Sequence, residues 1–170
     1  RGYADTPTEE IVQRAGVTRG ALYHHFRDKK DLFEAVFQDL EQELTQVVGR
    51  AARAKSEPGE QMRAGCQAFL DACLEPDVQR IALLDAPSVL GWERWRQIEA
   101  KYSLAALRHG LEFAMEAGVL EPQPAGPLAH LLFGALNEAA MVIARAEDVR
   151  SARIQVGAMI DRLLGSLKTS

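Results

Sequence analysis

The feature that most constrains this fold is a pair of short helical segments joined by a tight corner, in residues 6–30. The first segment opens on residues 6–9 (TPTE), where a hydroxyl, a proline and a glutamate three residues after the cap predict a capping box. Gly16 is predicted to end it, because glycine enters a left-handed helix C-terminus without strain. Thr18 then caps a second helix. Two helices so closely joined must cross steeply, which predicts a helix-turn-helix.

The second helix has one face for packing and one for binding. At 100° per residue, Leu22 and Phe26 fall on the side of Val17 and are predicted to lie in the core. The other side carries a glycine, hydrogen-bonding rings and arginines: Gly20, Tyr23, His24, Arg27 and, flanking them, Arg19. Residues 14–30 contain five Lys or Arg and one acid, in a chain whose net charge is −4. Such a local excess of positive charge suits a phosphate backbone.

The spacing of these residues resembles the DNA-binding domain of the TetR family of one-component regulators. The matching positions are Gly2, Tyr3, Thr6, Ile11, Ala15, Gly16, Val17, Leu22, Tyr23, His24, His25, Phe26, Lys29, Leu32 and Phe33. They cover about the first third of the chain. The chain departs from the common pattern at Pro7, where a hydroxyl residue is usual, and at Thr8, where an aliphatic one is usual. The resemblance also implies a further helix before Gly2, packed on both helices of the motif.

The resemblance implies a role for particular side chains. It places Thr18, Arg19 and Gly20 at base edges, at the start of the recognition helix. It places Tyr23 and His24 against phosphates or bases, and Lys29 at a phosphate beside the next helix N-terminus. Thr6 and Thr8 match further phosphate contacts at the start of the supporting helix.

Other interpretations of the aromatic residues stay open. Tyr23 as a buried phenol is an alternative, and His25, nearer the Leu22 side, is expected to pack or cap. His24 and His25 do not predict a metal site, because adjacent helical positions point about 100° apart and no Cys lies near them. The sequence predicts no metal and no cofactor.

Composition fits one sizeable core or two small ones. The 170 residues are 47% hydrophobic and 26% charged, which is ordinary for a globular protein. The most apolar run, Leu128 to Ala146, contains His130, Asn137, Glu138 and Arg145, so a membrane span is not predicted. With no signal peptide, a cytoplasmic location is expected. Cys66 and Cys73, seven residues apart in a helical pattern, are predicted to be small buried hydrophobes.

Helical periodicity continues through the rest of the chain. Apolar residues recur at three- and four-residue steps from Lys29 to about Ala54, which predicts one long helix acting as a lever. Helices at about 60–75 and 77–85 follow, then a long one from Trp92 to Ala117. The predicted fold class is all-α, with a helix-turn-helix DNA-binding domain at residues 1–50 and a helical effector-binding and dimerisation domain at 51–170.

One face of the helix at 92–117 is a candidate cavity wall. Apolar walls with a few polar atoms are typical of small-molecule pockets. The candidate ligand-binding residues are Met62, Phe69, Cys73, Trp95, Tyr102, His109 and Phe113. The alternative is that this aromatic stripe is simple core.

The last two helices, at about 127–146 and 148–167, are predicted to pair with their copies in a second subunit. The first is apolar almost all round, and a small subunit has few other helices to cover it. The candidate dimer-interface residues are Leu132, Ala135, Ala139, Ile143, Gly157, Ile160 and Leu164. Packing within one subunit is the alternative.

These observations predict a ligand-responsive DNA-binding transcriptional regulator. The expected form is a homodimeric repressor that binds double-stranded DNA at a palindromic operator and is released by a small, largely apolar inducer. A helical adaptor or small-molecule-binding protein of the same fold, without specific DNA binding, is the alternative. An enzyme is not predicted: His109 and Cys73 are the nearest approach to a catalytic pair, and a packed or pocket histidine is favoured.

Overall fold

The chain is all-α in a computed structural model that describes residues 1–168. The N-terminal part holds α1 (Thr8–Ala15), α2 (Arg19–His25) and the long α3 (Lys29–Arg53). Then follow α4 (Pro58–Ala72), α5 (Pro76–Val78), a π-helical segment (Gln79–Asp85) and α6 (Ala86–Leu90). The last four helices are α7 (Trp92–Lys101), α8 (Ser103–Glu116), α9 (Ala125–Ala144) and α10 (Val149–Gly165). The predicted fold class is confirmed.

The corner between α1 and α2 forms as the sequence predicts. Gly16 adopts φ 66° and ψ 26°, the left-handed conformation that glycine favours. The Thr18 hydroxyl accepts a hydrogen bond from the Ala21 N–H at 3.1 Å, which caps α2. The helices meet through a three-residue connection, residues 16–18, so α2 stands against α1 as a helix-turn-helix.

The predicted capping box at residues 6–9 is wrong. Helix α1 begins at Thr8, with Pro7 in extended backbone at the N-cap and no side-chain cap. The Thr6 hydroxyl instead donates to the Gly2 carbonyl at 2.8 Å, so it is not available to a helix N–H. Glu9 is also engaged elsewhere, since it accepts a hydrogen bond from Arg19.

Helix α3 belongs to two cores. Near its start, Phe33 and Phe37 pack with Ala82, Ala86, Leu90 and Ile98 in a smaller core between α3 and the segment from 78 to 102. Near its middle, Leu44 joins the main core, which α4, α8, α9 and α10 build. The expected boundary at residues 50/51 therefore lies inside a helix that both halves share.

Two predicted helix boundaries are wrong. The helix expected over 92–117 is broken at Tyr102, whose backbone (φ −113°, ψ −92°) is not helical. The short helix expected to stop near Asp85 runs on to Leu90, because Pro87 stands in the first turn of α6, where a missing N–H is tolerated. A π-helical segment precedes this turn.

The C-terminal helices close the main core. The inner faces of α9 and α10 are buried, and the Glu121 N–H donates to the Leu167 carbonyl at 3.2 Å, which joins the two ends of this unit. Among residues 1–168, α9 is the one helix long and apolar enough to cross a membrane, and 39% of that stretch is buried inside the protein. One such helix is weak evidence for a membrane span, and its buried side packs into the main core.

Candidate DNA-binding surface and effector pocket

The recognition helix α2 presents an exposed polar face. Leu22 is buried beneath it, whereas Arg19, Gly20 and His24 are exposed and Tyr23 is 38% exposed. The Arg19 guanidinium lies 5.5 Å from the centre of the Tyr23 ring. These side chains form an exposed polar patch with the cation of Arg19 over the Tyr23 ring. The alternative of a buried Tyr23 phenol is excluded in this chain.

Gly20 keeps the middle of this patch open. Only the Thr18 hydroxyl, at 3.9 Å, would approach a Cβ at this position. Arg19 is held by Glu9 at 2.8 Å in an ion pair in which both side chains are about two-thirds exposed. An exposed pair of this kind is weak, so Arg19 is readily redirected to another anion. The start of α2 can therefore approach a nucleic-acid backbone or base edge closely.

The remaining predicted contacts are less free. Thr8 is 8% exposed, so its side chain is not available to a phosphate, contrary to the prediction that it contacts DNA. Thr6 is half-buried and bound to the Gly2 carbonyl. The Lys29 amine donates to the Tyr3 carbonyl and lies 4.3 Å from the centre of the Tyr3 ring. The Lys29 amine therefore has to contact a phosphate with the N–H groups that its hydrogen bond to Tyr3 leaves free.

Tyr3 ties the helix-turn-helix unit to the second half of the chain. Its N–H donates to the carboxylate of Asp85 at 2.7 Å, and its ring packs edge-on against Phe33 at 5.2 Å. The Arg80 guanidinium pairs with Asp85 at 3.2 Å and lies against Gly2, where a Cβ would overlap it. The sequence analysis missed Asp85. The available signal was an acid in the apolar run at 81–86, which a buried partner must satisfy.

A second candidate site is a cleft between α3, α4, α8 and α9. It encloses about 680 Å³ including its open mouth. Its lining is Thr45, Val48, Ala52, Pro58, Gln61, Met62, Gly65, Cys66, Phe69, Ser103, Ala106, Leu107, Gly110, Phe113, Phe133 and Leu136. No lining residue is charged and most are apolar, which suits a small, mostly apolar ligand.

The candidate ligand-binding residues are dispersed. Met62, Phe69 and Phe113 line the cleft. Cys73 lies in the main core, and Trp95 and Tyr102 pack against the smaller core instead. His109 is exposed in a separate groove beside α9. The break at Tyr102 explains this, because α7 and α8 do not share one continuous helical face.

Two buried carboxyl groups lie behind the inner end of the cleft. Glu41 is 3% exposed and accepts a hydrogen bond from the Ser103 hydroxyl at 2.7 Å, and burial raises its pKa. Burial, with Glu41 nearby, raises the pKa of Glu99 to about 7, against hydrogen bonds from Arg96 at 2.7 Å and Asn137 at 3.2 Å. Sequence reasoning missed both residues. The signal was Glu41 at the position four after Phe37, within the apolar stripe of α3.

The predicted dimer-interface residues mostly face inward. Those buried in the core of the same chain are Leu132, Ala139, Ile143, Gly157, Ile160 and Leu164, with Ala135 half-buried. They pack within the subunit, so their assignment to the interface is corrected. The outer face of the helix pair carries other exposed apolar side chains: Leu131 (75%), Val142 (48%), Met159 (47%) and Leu163 (49%). The apolar pattern of the sequence does not distinguish the side of these helices that packs in the core from the side that is exposed.

The two histidine rings of α2 stack edge-on, with centroids 5.3 Å apart. Within residues 1–168, no group of three or more His, Cys, Asp or Glu side chains is arranged to hold a metal ion.

Comparison with known proteins agrees with this architecture. A family model described as bacterial regulatory proteins, tetR family, matches residues 1–36, and one described as tetracyclin repressor-like, C-terminal domain, matches residues 59–167. The fold and the exposed recognition helix define a helix-turn-helix transcriptional regulator with a ligand-binding helical domain. The chain belongs to the TetR family.

Individual relatives support the assignment. A crystal structure of a TetR-family transcriptional regulator from Pectobacterium atrosepticum is 35% identical, covers 100% of this chain and 87% of its own, and superposes with a TM-score of 0.85. The transcriptional activator FasR of Mycolicibacterium smegmatis is 37% identical over 84 residues, 49% of this chain and 38% of that protein. Over its matched part, the chain spans less than half the length of the first curated relatives.

A more distant neighbour shows the fold alone. The regulator FadR from Bacillus subtilis, solved in complex with stearoyl-CoA, is 17% identical, with a TM-score of 0.78 over 99% of this chain and 91% of that one.

Proposed function

We propose that the protein is a homodimeric repressor that binds a palindromic operator and is released by a small apolar inducer. The observation that carries the proposal is the exposed, positively charged face of α2, with Arg19 and Tyr23 at its centre. Two such helices related by a two-fold axis would enter successive major grooves about 34–36 Å apart. Thr18, Arg19, Gly20, Tyr23 and His24 are the proposed contacts to bases and phosphates, with Lys29 and Thr6 at the edge.

The proposed dimer forms through the outer face of α9 and α10. The exposed apolar side chains Leu131, Val142, Met159 and Leu163 lie on this face. A contiguous apolar surface of this kind is typical of an interface. Pairing the two helices with their copies would give a four-helix bundle and set the distance between the two recognition helices.

The proposed inducer binds in the cleft between α3, α4, α8 and α9. Thr45, Val48 and Ala52 of α3 line this cleft, and the same helix begins at Lys29, beside α2. A ligand that prefers one position of α3 would change the spacing of the recognition helices. The bound acyl-CoA of the distant neighbour FadR is consistent with an effector among these helices. Division into a DNA-binding part at residues 1–50 and an effector part at 51–170, with α3 shared, follows from this scheme.

A helical adaptor without specific DNA binding is the second candidate. It would have no need of an open Gly20 flanked by Arg19 and Tyr23. A catalytic role is not proposed, since family membership points to regulation. A cytoplasmic location follows from the proposed access to DNA.

The experiment is fluorescence-anisotropy binding of the full-length protein to duplexes tiled across the region upstream of its own gene, at two salt concentrations. Tight, palindrome-centred binding that survives the higher salt is expected of a specific regulator. Tyr23→Ala and Arg19→Ala should each weaken it by about tenfold or more, as loss of a base or phosphate contact does. Arg108→Ala, an exposed change on α8, serves as the control. Weak, sequence-blind binding that the higher salt abolishes would favour the adaptor.

A further inference from the structure

The effector cleft has a polar inner end and an apolar body. Ser103, 9% exposed, and Thr45 place hydroxyl groups at the inner end, where the buried Phe133 and Leu136 close the wall. The other end opens beside Phe113, which is 49% exposed. Ser103 and Phe113 are ten residues apart on α8, so the cleft is about 15 Å long at the rise of an α-helix. A ligand enters it lengthwise.

The charged side chains near the inner end are Glu41, Glu99 and Arg96, and they interact with one another. The Ser103 hydroxyl lines the cleft and donates a hydrogen bond to Glu41, which lies behind it and does not line the cleft. The oxygen of Ser103 keeps free lone pairs for a ligand, and Glu41 is reached only by a donor that takes the place of the Ser103 hydrogen bond. Glu99 lies near Glu41, and its cationic partner, Arg96, is already held at 2.7 Å. No Lys, Arg or His lines the cleft. An anionic head group at this end would lose its water and find no cation in the lining to pair with, with Glu41 behind Ser103 instead, which costs a large desolvation energy.

Two glycines in the walls, Gly65 and Gly110, leave the space that forms the body of the cleft. A Cβ on Gly110 would lie 3.2 Å from the end of Met62, and one on Gly65 would lie 3.4 Å from the Val48 side chain. Any side chain at these positions would fill the space between α4 and the helices beside it. Because Met62 approaches Gly110 and Val48 approaches Gly65 this closely, the space between the walls favours a chain or a flat ring over a bulky, branched molecule.

From this geometry we propose that the inducer is a narrow apolar molecule with a hydrogen-bond donor, an amine or a hydroxyl, at its inner end, bound by Ser103 and Glu41. The proposal rests on the regulator function above and specifies the class of its effector. Carboxylates of the same length are excluded from the inner end. The donor replaces the contact between Ser103 and Glu41, and through Glu41 it acts on α3 directly.

The test uses octylamine, octanol and octanoate, which share one apolar chain and differ in the head group. Binding is measured by the shift in Tm and by calorimetry, without DNA. Octylamine or octanol should bind about tenfold or more tightly than octanoate, the difference that a hydrogen bond to a buried carboxyl makes. Comparison of the amine with the alcohol separates the charge from the donor. Equal or tighter binding of octanoate, or binding of none of the three, would overturn the proposal.

Variants locate the site. Ser103→Ala and Glu41→Gln should each reduce the preference for the donor head groups, and Gly110→Leu should abolish binding of all three. Glu43→Gln, an exposed acid on the same helix as Glu41, should change nothing. If Glu41→Gln does not fold, Ser103→Ala carries the test alone. Operator binding of the wild-type protein is measured separately. A protein that binds no operator contradicts the proposed function. Octanoate binding as tightly as octylamine and octanol contradicts only the proposed ligand class.

Discussion

The backbone N–H of Tyr3 donates to the carboxylate of Asp85 at 2.7 Å, across 82 residues of the chain. The Tyr3 carbonyl also accepts a hydrogen bond from the amine of Lys29, the first residue of α3. One residue therefore joins the helix-turn-helix unit, the long helix and the π-helical segment of the second half. We expect movement of that segment to be passed to the DNA-binding surface through this bond.

Replacing Asp85 should disconnect the two halves. Asp85→Ala leaves the Tyr3 N–H and the Arg80 guanidinium without this acceptor, which should lower the free energy of unfolding by about 1–3 kcal/mol. It should also alter operator affinity and reduce the change in affinity that an inducer causes. Thermal denaturation and anisotropy with and without ligand measure both effects.

Two further variants of this region make the test specific. Asp85→Asn keeps an acceptor oxygen for Tyr3 and should lie between wild type and alanine. Asp77→Ala, an exposed acid in the same region, should behave as wild type. An Asp85→Ala protein with unchanged stability and unchanged ligand response would show that the bond carries no coupling.

Charges on the outer face of α9 should break the proposed dimer. Leu131 and Val142 are exposed and eleven residues apart, on one side of the helix. Leu131→Glu with Val142→Glu should give a monomer that stays folded and binds the operator weakly, because it loses its second half-site. Sedimentation and circular dichroism report the two properties.

The control for the dimer test is Ile154→Glu. Ile154 is 73% exposed but lies toward the α4 side of α10, where Arg63 pairs with Asp161 at 3.0 Å. This variant should stay dimeric. A dimeric Leu131/Val142 double variant would place the interface elsewhere.

Stability should fall as the pH rises from about 5 to 7. The folded-state pKa of Glu99 is about 7, above its ordinary value of 4.5, because burial disfavours the charged form. The native state therefore binds more protons than the unfolded chain in this range, and the stabilisation is lost as the pH rises through the folded pKa.

Glu99→Gln should flatten this part of the pH profile and raise Tm at pH 8 relative to wild type. Each kcal/mol added to the free energy of unfolding should raise Tm by roughly a few degrees. The variant's single amide oxygen still accepts from Arg96 or from Asn137, which donate to different oxygens of Glu99. Glu116→Gln, an exposed acid, is the matched control. Tm measured from pH 4.5 to 8 for the three proteins gives the comparison; parallel profiles of wild type and Glu99→Gln would assign the pH dependence to other groups.

Both cysteines should resist alkylation in the native protein. Burial raises the pKa of Cys66 and of Cys73 to about 12, and their exposures are 3% and 2%. The reactive thiolate is therefore scarce, and reagents have no access. Maleimide labelling followed by mass spectrometry should show none at pH 7 without denaturant and two adducts after unfolding. Because Cys66 lines the cleft, its labelling alone would report opening of that site.

Local chemistry explains which parts of the fold were predictable. Gly16 and Thr18 determine the helix-turn-helix through backbone conformation and capping, which sequence displays directly. The break at Tyr102 has no glycine or proline to announce it. The exposed apolar face of α9 was not predicted because Ile143 and Val142 look alike in sequence, and only the packed structure shows that one is 1% and the other 48% exposed. Glu41 meets Ser103 across 62 residues, a contact that no local pattern encodes.

The π-helical segment Gln79–Asp85 has a consequence for how this region tolerates insertions and deletions. A π turn holds one more residue than an α turn, so the segment behaves as a single-residue insertion within an otherwise regular helix. Removing any one residue there would restore regular winding and rotate Asp85 by about 100° relative to the residues before the deletion. Its carboxylate would then turn away from the Tyr3 N–H. The length of this segment, more than its side chains, keeps the two halves of the protein in register.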